Sequence, residues 1–222
     1  LFFIRSLQTA SPALPIPAPE GTQPKPDPVK QTNSPFQALR LDIWKTHFRN
    51  VLLGFFAFHF SQYLAIPIFP IYNVRVLELN DSQIGIGTAL FYLTVLVGST
   101  QLRRVVHKMG HKNLTGWSVA SMAAYPLILS ASTEVWQFYV VSLIGGLSFS
   151  MVSGAYANYM LEHIPPHDRP THLAWYNIIL NAAILIGSLA GPAVADQIGL
   201  SEVLVLIAVL RFLAGLSILK WG

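Results

Sequence analysis

Charged residues are unevenly spaced along the chain, and five long stretches contain no Asp, Glu, Lys or Arg. These stretches cover residues 50–74, 82–102, 113–133, 135–161 and 170–195. A sixth apolar stretch, residues 203–219, is interrupted only by Arg211. A helix needs about 20 mostly apolar residues to cross the hydrocarbon core of a bilayer. The pattern therefore predicts six transmembrane helices, at about 50–74, 82–102, 113–133, 135–161, 172–195 and 202–219.

The composition favours a membrane protein. Hydrophobic residues make up 53% of the chain, charged residues make up 11%, and the mean hydropathy is +0.50. Buried helices of a large soluble protein are the weaker interpretation, because such a protein needs far more polar surface. We therefore predict an all-α polytopic membrane protein whose surroundings are the lipid bilayer. The chain contains no cysteine, which excludes disulfides within it.

Basic residues concentrate in alternate connections between the predicted spans. With six spans, one side of the membrane receives Arg5, Lys25, Lys30, Arg40, Lys45, Arg49, Arg103, Arg104, Lys108, Lys112, Arg169 and Lys220. The opposite connections carry Arg75 together with Glu78, Asp81, Glu134 and Glu202. Positively charged short loops remain on the cytoplasmic side. We therefore expect an integral protein of the plasma (inner) membrane with both termini in the cytoplasm.

The region before the first span differs in composition. Residues 8–35 contain eight prolines and few large apolar side chains, which predicts a disordered Pro-rich cytoplasmic linker. Residues 1–7 begin with an apolar run followed by Arg5, a pattern typical of the end of a preceding transmembrane helix. We therefore expect a fragment in which the six-helix domain occupies residues 36–222. The apolar periodicity of residues 36–49 fits either a short helix on the membrane surface or an extension of the first span.

Three further segments form an ordered set. They are residues 78–98 (ELNDSQIGIGTALFYLTVLVG), 101–114 (QLRRVVHKMGHKNL) and 164–192 (IPPHDRPTHLAWYNIILNAAILIGSLAGP). They resemble, in turn, the eighth helix with its external turn, the signature loop, and the loop between helices ten and eleven of a major facilitator superfamily transporter. The resemblance covers the chain from residue 36 onward. It implies that the six spans are that family's helices seven to twelve.

The signature loop of this family has the form Gly-x-x-x-Asp-Arg-x-Gly-Arg-Lys. Here Gly110 matches its second glycine and Lys112 its final base, whereas His107 stands at the Asp position and Arg103 at the first glycine. The resemblance implies a gating loop formed by Arg104, Lys108, Gly110 and Lys112. We expect its three cations to bias the equilibrium between outward-open and inward-open states. The alternative is that they only fix the topology.

The resemblance implies a secondary active transporter that moves a small-molecule solute by alternating access. Its partner would be the missing N-terminal six-helix half of the same chain. It implies no enzymatic activity, metal, cofactor or nucleic-acid partner. One alternative is a non-transporting membrane receptor or assembly factor on the same fold. A less favoured alternative is a di-metal membrane oxidoreductase that uses His107, His111, His163, His167 and His172.

Polar residues inside the predicted spans are candidates for a solute site, because they usually face the bundle interior or a cavity. His59, Gln62 and Tyr63 share one face of the first span, and Asn177 and Asn181 lie one turn apart in the fifth. The alternative for each is a hydrogen bond between helices.

Three small or charged positions complete the set of expectations. Gly187 and Gly191 in the fifth span predict close helix packing, and the resemblance implies that the neighbouring helix belongs to the missing half. Arg211 lies near the middle of the sixth span and must either reach the aqueous face or turn into the bundle.

Overall fold

The described part of the chain is built from helices. A computed structural model describes residues 40–222, so the predictions for the preceding helix end and the Pro-rich linker lie outside the described residues. Within residues 40–222 the α-helices are α1 (Phe48–Ala65), α2 (Ile68–Arg75), α3 (Asp81–Ser121), α4 (Ala124–Ser130), α5 (Val135–Glu162), α6 (Arg169–Ile198) and α7 (Leu200–Trp221). Two short 3-10 helices, Leu41–Lys45 and Pro166–Asp168, precede α1 and α6.

The helices form segments of membrane-spanning length. Five segments are long and apolar enough to cross a membrane: Phe48–Arg75, Asp81–Ser130, Val135–Glu162, Pro166–Ile198 and Leu200–Trp221. Two of them contain a break next to a proline, since Pro67 separates α1 from α2 and Pro126 follows the break between α3 and α4. Proline lacks the backbone N–H that a continuous helix needs at these positions. The all-α membrane fold predicted from the sequence is confirmed.

The segment Asp81–Ser130 contains two spans that are joined at Gly110. The segment has 50 residues. As one straight helix it would measure about 75 Å, more than twice the hydrocarbon thickness of about 30 Å. Gly110 has φ 74° and ψ 164°, a backbone conformation that essentially only glycine adopts. The chain therefore turns sharply inside α3.

Neighbouring side chains show that the chain reverses direction at this turn. Before Gly110, α3 runs parallel to α5, since Gly87 lies next to Phe138 and Gly98 lies next to Ser150. After the turn the chain runs antiparallel to α5, since Ser121 lies next to Ser148 and Tyr125 of α4 lies next to Gly145. The five apolar segments of residues 40–222 therefore contain six helical passes, because the segment Asp81–Ser130 runs in opposite directions before and after Gly110.

The two ends of this bundle differ in charge. One end, called the basic end, contains residues 40–47, the turn at Gly110, the connection 163–168 and the end of α7. Its cations are Arg40, Lys45, Arg49, Arg103, Arg104, Lys108, Lys112, Arg169 and Lys220, and its acids are Asp42, Glu162 and Asp168. The other end, called the acidic end, carries Glu78, Asp81, Glu134, Asp196 and Glu202 with Arg75.

The segment before α1 packs at the basic end as a separate element. Residues Leu41–Lys45 form a 3-10 helix, and Thr46 has an extended backbone (φ −90°, ψ 168°). Ile43 is 1% exposed, and the Trp44 ring packs edge-on against Trp175 of α6 at 5.3 Å between centroids. The described part of this segment is therefore not an extension of the first span.

Helices α1 and α6 approach each other closely at two glycines. A Cβ atom on Gly187 would lie 3.0 Å from the carbonyl oxygen of Phe60 and from the backbone nitrogen of Leu64. A Cβ atom on Gly191 would clash with the Leu64 carbonyl oxygen. The helix next to both glycines is therefore α1 of this chain, and the expectation of a neighbour in a missing half is wrong.

Candidate functional site

The polar face of α1 begins with a buried histidine. The Nε2 atom of His59 lies 3.0 Å from the hydroxyl of Tyr176 on α6. The His59 ring also stacks on Phe55, with 6.1 Å between ring centroids. This geometry matches the interhelical hydrogen bond that was the alternative to a solute contact. Tyr63, one turn further along, is half-buried on the same helix.

A cavity of about 260 Å³ lies beside Gln62, the second residue of this polar face. The Oε1 atom of Gln62 is buried and has no hydrogen-bond partner within residues 40–222. Much of the remaining lining is aromatic: Phe69, Phe91, Tyr92, Tyr125 and Phe149. Of the five solute-site candidates, Gln62 is the one that lines this cavity.

Arg211 is one of the residues that line the same cavity. Its side chain turns into the bundle and the residue is 1% exposed. Nη1 donates to the carbonyl oxygen of Met122 at 3.3 Å, and Nη2 donates to the carbonyl oxygen of Ser61 at 3.4 Å. Nε has no hydrogen-bond partner among the described residues. The site therefore contains a buried cation whose Nε is free to donate within the described chain.

The break between α3 and α4 explains part of this placement. In a continuous helix the carbonyl of Met122 would accept from the backbone N–H of the residue four positions later, which is Pro126 and has none. That carbonyl accepts from the backbone N–H of Tyr125 at 3.4 Å and also from the guanidinium of Arg211. Carbonyls at helix ends carry partial negative charge, so they stabilise a nearby cation.

The two asparagines of α6 lie outside this cavity. Asn177 and Asn181 are both exposed. The Nδ2 atom of Asn181 donates to the carbonyl oxygen of Asn177 at 2.7 Å. The structure therefore does not bring them together with Gln62, and the five candidates do not form one site within the described chain.

The four residues of the predicted gating loop differ in what they contact. Gly110 forms the reversal itself. Arg104 donates to the side chain of Gln101 within its own helix at 3.3 Å. Arg104, Lys108 and Lys112 have no carboxylate oxygen within 4.0 Å in the described range. The loop is instead tied to α5 by His111, whose Nδ1 lies 2.6 Å from Oε1 of Glu162.

A second set of charged contacts joins the 3-10 segment to the start of α6. Arg40 donates to both carboxylate oxygens of Asp42, at 2.9 and 3.0 Å, and to Asp168 at 3.1 Å. The side-chain hydrogen bond from Arg40 lowers the pKa of the Asp42 carboxyl. Asp168 is also 3.4 Å from Nδ1 of His172, which is buried. Ion pairs at the basic end therefore hold the 3-10 segment next to the start of α6.

The histidines of the di-metal alternative are spread over several contacts. His111 pairs with Glu162, His163 approaches the carbonyl of Tyr159 at 2.9 Å, and His172 contacts Asp168. Among residues 40–222 there is no group of three or more His, Cys, Asp or Glu side chains that could hold a metal ion.

Sequence reasoning missed two partners that the structure reveals, and it did not give the surroundings of Arg211. Tyr176 lies next to the candidate Asn177 in sequence, yet it is the residue that bonds His59. Glu162 is the acid that ends the fourth charge-free stretch, which was an available signal for a pair with the basic loop. The sequence indicated that Arg211 either reaches the aqueous face or turns into the bundle. It could not show the cavity, because the cavity depends on how the helices are arranged around Arg211, which periodicity does not give.

Comparisons with known proteins agree on one family. Residues 51–221 match the family model described as Major Facilitator Superfamily. The chain is 27% identical to the staphyloferrin B transporter of Staphylococcus aureus, over 77% of this chain and 42% of that protein. It is 24% identical to multidrug resistance protein 2 of Bacillus subtilis, over 68% of this chain and 38% of that protein. It is 25% identical to multidrug resistance protein MdtG of Salmonella paratyphi B, over 77% and 43%. The chain thus spans about two fifths of the length of these relatives.

Proposed function

Because the chain belongs to the major facilitator superfamily, we propose that it forms the C-terminal six-helix half of a secondary active transporter. The proposed activity is movement of a small solute across the membrane by alternating access, without chemical change to the solute. The observation that carries the proposal is the bundle of five apolar segments, one of which reverses at Gly110 to give six passes, over nearly the same residues as the family match, 51–221.

A preceding six-helix half of the same protein completes the proposed carrier. The coverage of the relatives supports this, because the match spans 42% of the length of the staphyloferrin B transporter and 43% of the length of MdtG. Those relatives are named for transport of staphyloferrin B and for multidrug resistance. Their names support a small organic molecule as the solute of this protein.

The proposed location is the plasma (inner) membrane, with the basic end in the cytoplasm. The six passes bring both the segment before α1 and the end of α7 to that end. Lys and Arg are retained on the cytoplasmic side during insertion. In this orientation the turn at Gly110 is cytoplasmic, and the cation-poor connections face outward.

Cysteine labelling tests alternating access without knowledge of the solute. The chain has no cysteine, so a single cysteine placed at Tyr92, an exposed position on the cavity lining, is its one reactive thiol. The measurement uses the complete protein in right-side-out and inside-out vesicles, with any cysteines outside this chain replaced. We expect a membrane-impermeant maleimide to label the Tyr92→Cys position from both faces, because an alternating-access cavity opens to each in turn.

Two further positions control for topology. We expect Lys108→Cys to be labelled from the cytoplasmic face and Glu134→Cys from the outer face. Labelling of Tyr92→Cys from one face alone, with both controls as expected, would contradict alternating access and favour the non-transporting receptor. Labelling of both control positions from the same face would contradict the proposed topology.

A further inference from the structure

We infer that the cavity lined by Gln62 and Arg211 binds the anionic group of an organic solute. The inference rests on the proposed function and specifies the solute class. It starts from one cation: Arg211 is 1% exposed in the middle of a membrane-spanning helix, and none of the carboxylates in residues 40–222 lies within 4.0 Å of it.

The hydrogen bonds of Arg211 leave its charge uncompensated. A guanidinium has five N–H donors in a fixed planar arrangement. Two nitrogens donate to the carbonyls of Met122 and Ser61, at 3.3 and 3.4 Å, while Nε has no partner in the described chain. Carbonyl oxygens are neutral acceptors, so they orient the cation but do not neutralise it. A buried charge without a counter-charge is costly in a membrane protein, which favours an anion as the missing partner.

The cavity determines what kind of anion fits. Its volume is about 260 Å³, and Phe69, Phe91, Phe149 and Tyr125 contribute to its lining. Aromatic walls stabilise an apolar body rather than a hydrated inorganic ion. Arg211 in the lining supplies the charge. The combination fits a molecule with an apolar or aromatic body and a carboxylate-like group.

Gln62 adds a second polar contact. Its Oε1 atom is buried without a partner and its side chain lines the same cavity. The unpartnered atom is an acceptor, so it is satisfied by an N–H or O–H donor on the solute and not by a carboxylate. Arg211 therefore discriminates by charge, whereas Gln62 recognises a donor group on the solute.

The counter-charge has two possible sources, a carboxylate on the solute or a carboxylate elsewhere in the complete protein. We assign it to the solute, because Arg211 is one of the residues that line the cavity and its Nε has no hydrogen-bond partner within residues 40–222. A guanidinium already paired within the protein would show no preference for added anions. Added anions therefore distinguish the two sources.

The test compares benzoate with benzamide, which have nearly the same shape and differ in charge. The complete protein is purified in detergent, and the dissociation constant of each probe is obtained from the rise in unfolding temperature with probe concentration. For the native protein we expect benzoate to bind about tenfold more tightly than benzamide. Equal affinities, or no binding of benzoate, would overturn the inference.

Three variants identify the residue responsible. In Arg211→Met we expect the dissociation constants of benzoate and benzamide to become about equal. In Arg211→Lys we expect the preference for benzoate to weaken but remain. In Gln62→Leu we expect benzamide, whose NH2 group can donate to Oε1, to bind more weakly, with the preference for benzoate retained. If Arg211→Met keeps the full preference, Arg211 is not the site. If the native protein shows no preference and Arg211→Met is severely destabilised, the counter-charge is internal, which also overturns the inference.

Equilibrium binding does not require transport. A receptor that never alternates would still prefer benzoate, and a carrier whose solute is neutral would alternate without that preference. The probe measurement and the labelling of Tyr92→Cys can therefore fail independently.

Discussion

The Nδ1 atom of His111 lies 2.6 Å from the Oε1 atom of Glu162, so the turn at Gly110 is attached to the basic end of α5. The side chains are 25% and 52% exposed, which means that water and salt screen the pair. A weak contact suits a loop that would release during the proposed transport cycle. The sequence directed attention to Arg104, Lys108 and Lys112, but a neighbouring histidine makes the contact.

The first prediction measures that contact with a double-mutant cycle. We expect His111→Ala and Glu162→Gln to show a coupling energy of about 1 kcal/mol or less, because the pair is partly exposed. The free energy of unfolding of the complete protein in detergent provides the values. Lys108→Met combined with Glu162→Gln is the matched control and should show no coupling. A His111–Glu162 coupling above about 2 kcal/mol would contradict the screened geometry.

The second prediction separates backbone conformation from packing at glycine. A Cβ atom would meet nothing within 4 Å at either Gly110 or Gly85, but Gly110 has φ +74° whereas Gly85 lies within the helical part of α3. We expect Gly110→Ala to cost about 1–3 kcal/mol of unfolding free energy, since an L-residue is strained there. Gly85→Ala should stabilise by about 0.5–1 kcal/mol. Equal effects of the two substitutions would show that the turn is not held by its backbone angles.

The third prediction concerns the bond between His59 and Tyr176. Tyr176→Phe removes the hydroxyl and keeps the ring, leaving the buried Nε2 of His59 without its 3.0 Å partner. We expect a loss of about 1–3 kcal/mol in unfolding free energy. Tyr92→Phe, whose side chain is exposed, is the control and should have little effect. If Tyr176→Phe leaves stability unchanged, the structural role of His59 is contradicted and a solute contact is favoured.

The membrane fold could be predicted from the sequence because it depends on a local property. A helix that crosses a bilayer must be apolar over a set length, and charged residues mark where it ends. Counting charge-free stretches therefore predicts six spans, because it separates the two that are joined at Gly110. Counting continuous helical segments gives five. The same reasoning could not show that Gly110 adopts a glycine-only conformation, because φ depends on how the neighbouring spans close.

The candidate site was only partly predictable, because it depends on which helices meet. His59 and Gln62 share one face of α1, but one bonds α6 and the other lines a cavity. Arg211 stands alone in its span, and its two carbonyl partners are 89 and 150 positions away in sequence. Helical periodicity gives the face of a residue and leaves its neighbour across the bundle undetermined.

The fourth prediction concerns acid pH at the basic end. Hydrogen bonds from Arg40 hold the pKa of the Asp42 carboxyl below its ordinary value of 3.8. A carboxyl whose pKa is lower in the folded state stabilises that state above the ordinary value, and this contribution is lost as the pH falls through the folded pKa. Asp168 and His172 are the other titratable groups of this contact network.

The packing of Trp44 on Trp175 reports on this network, because it joins the same two elements. We expect the fluorescence change that comes from Asp42 to occur below pH 3.8, with Trp44→Phe identifying the signal. Asp42→Asn should lack the part of the change that comes from Asp42, while Asp168→Asn tests the second acceptor of Arg40. A transition centred above 3.8 that disappears in Asp42→Asn would mean that the Asp42 pKa is raised, and it would contradict the hydrogen bonds from Arg40.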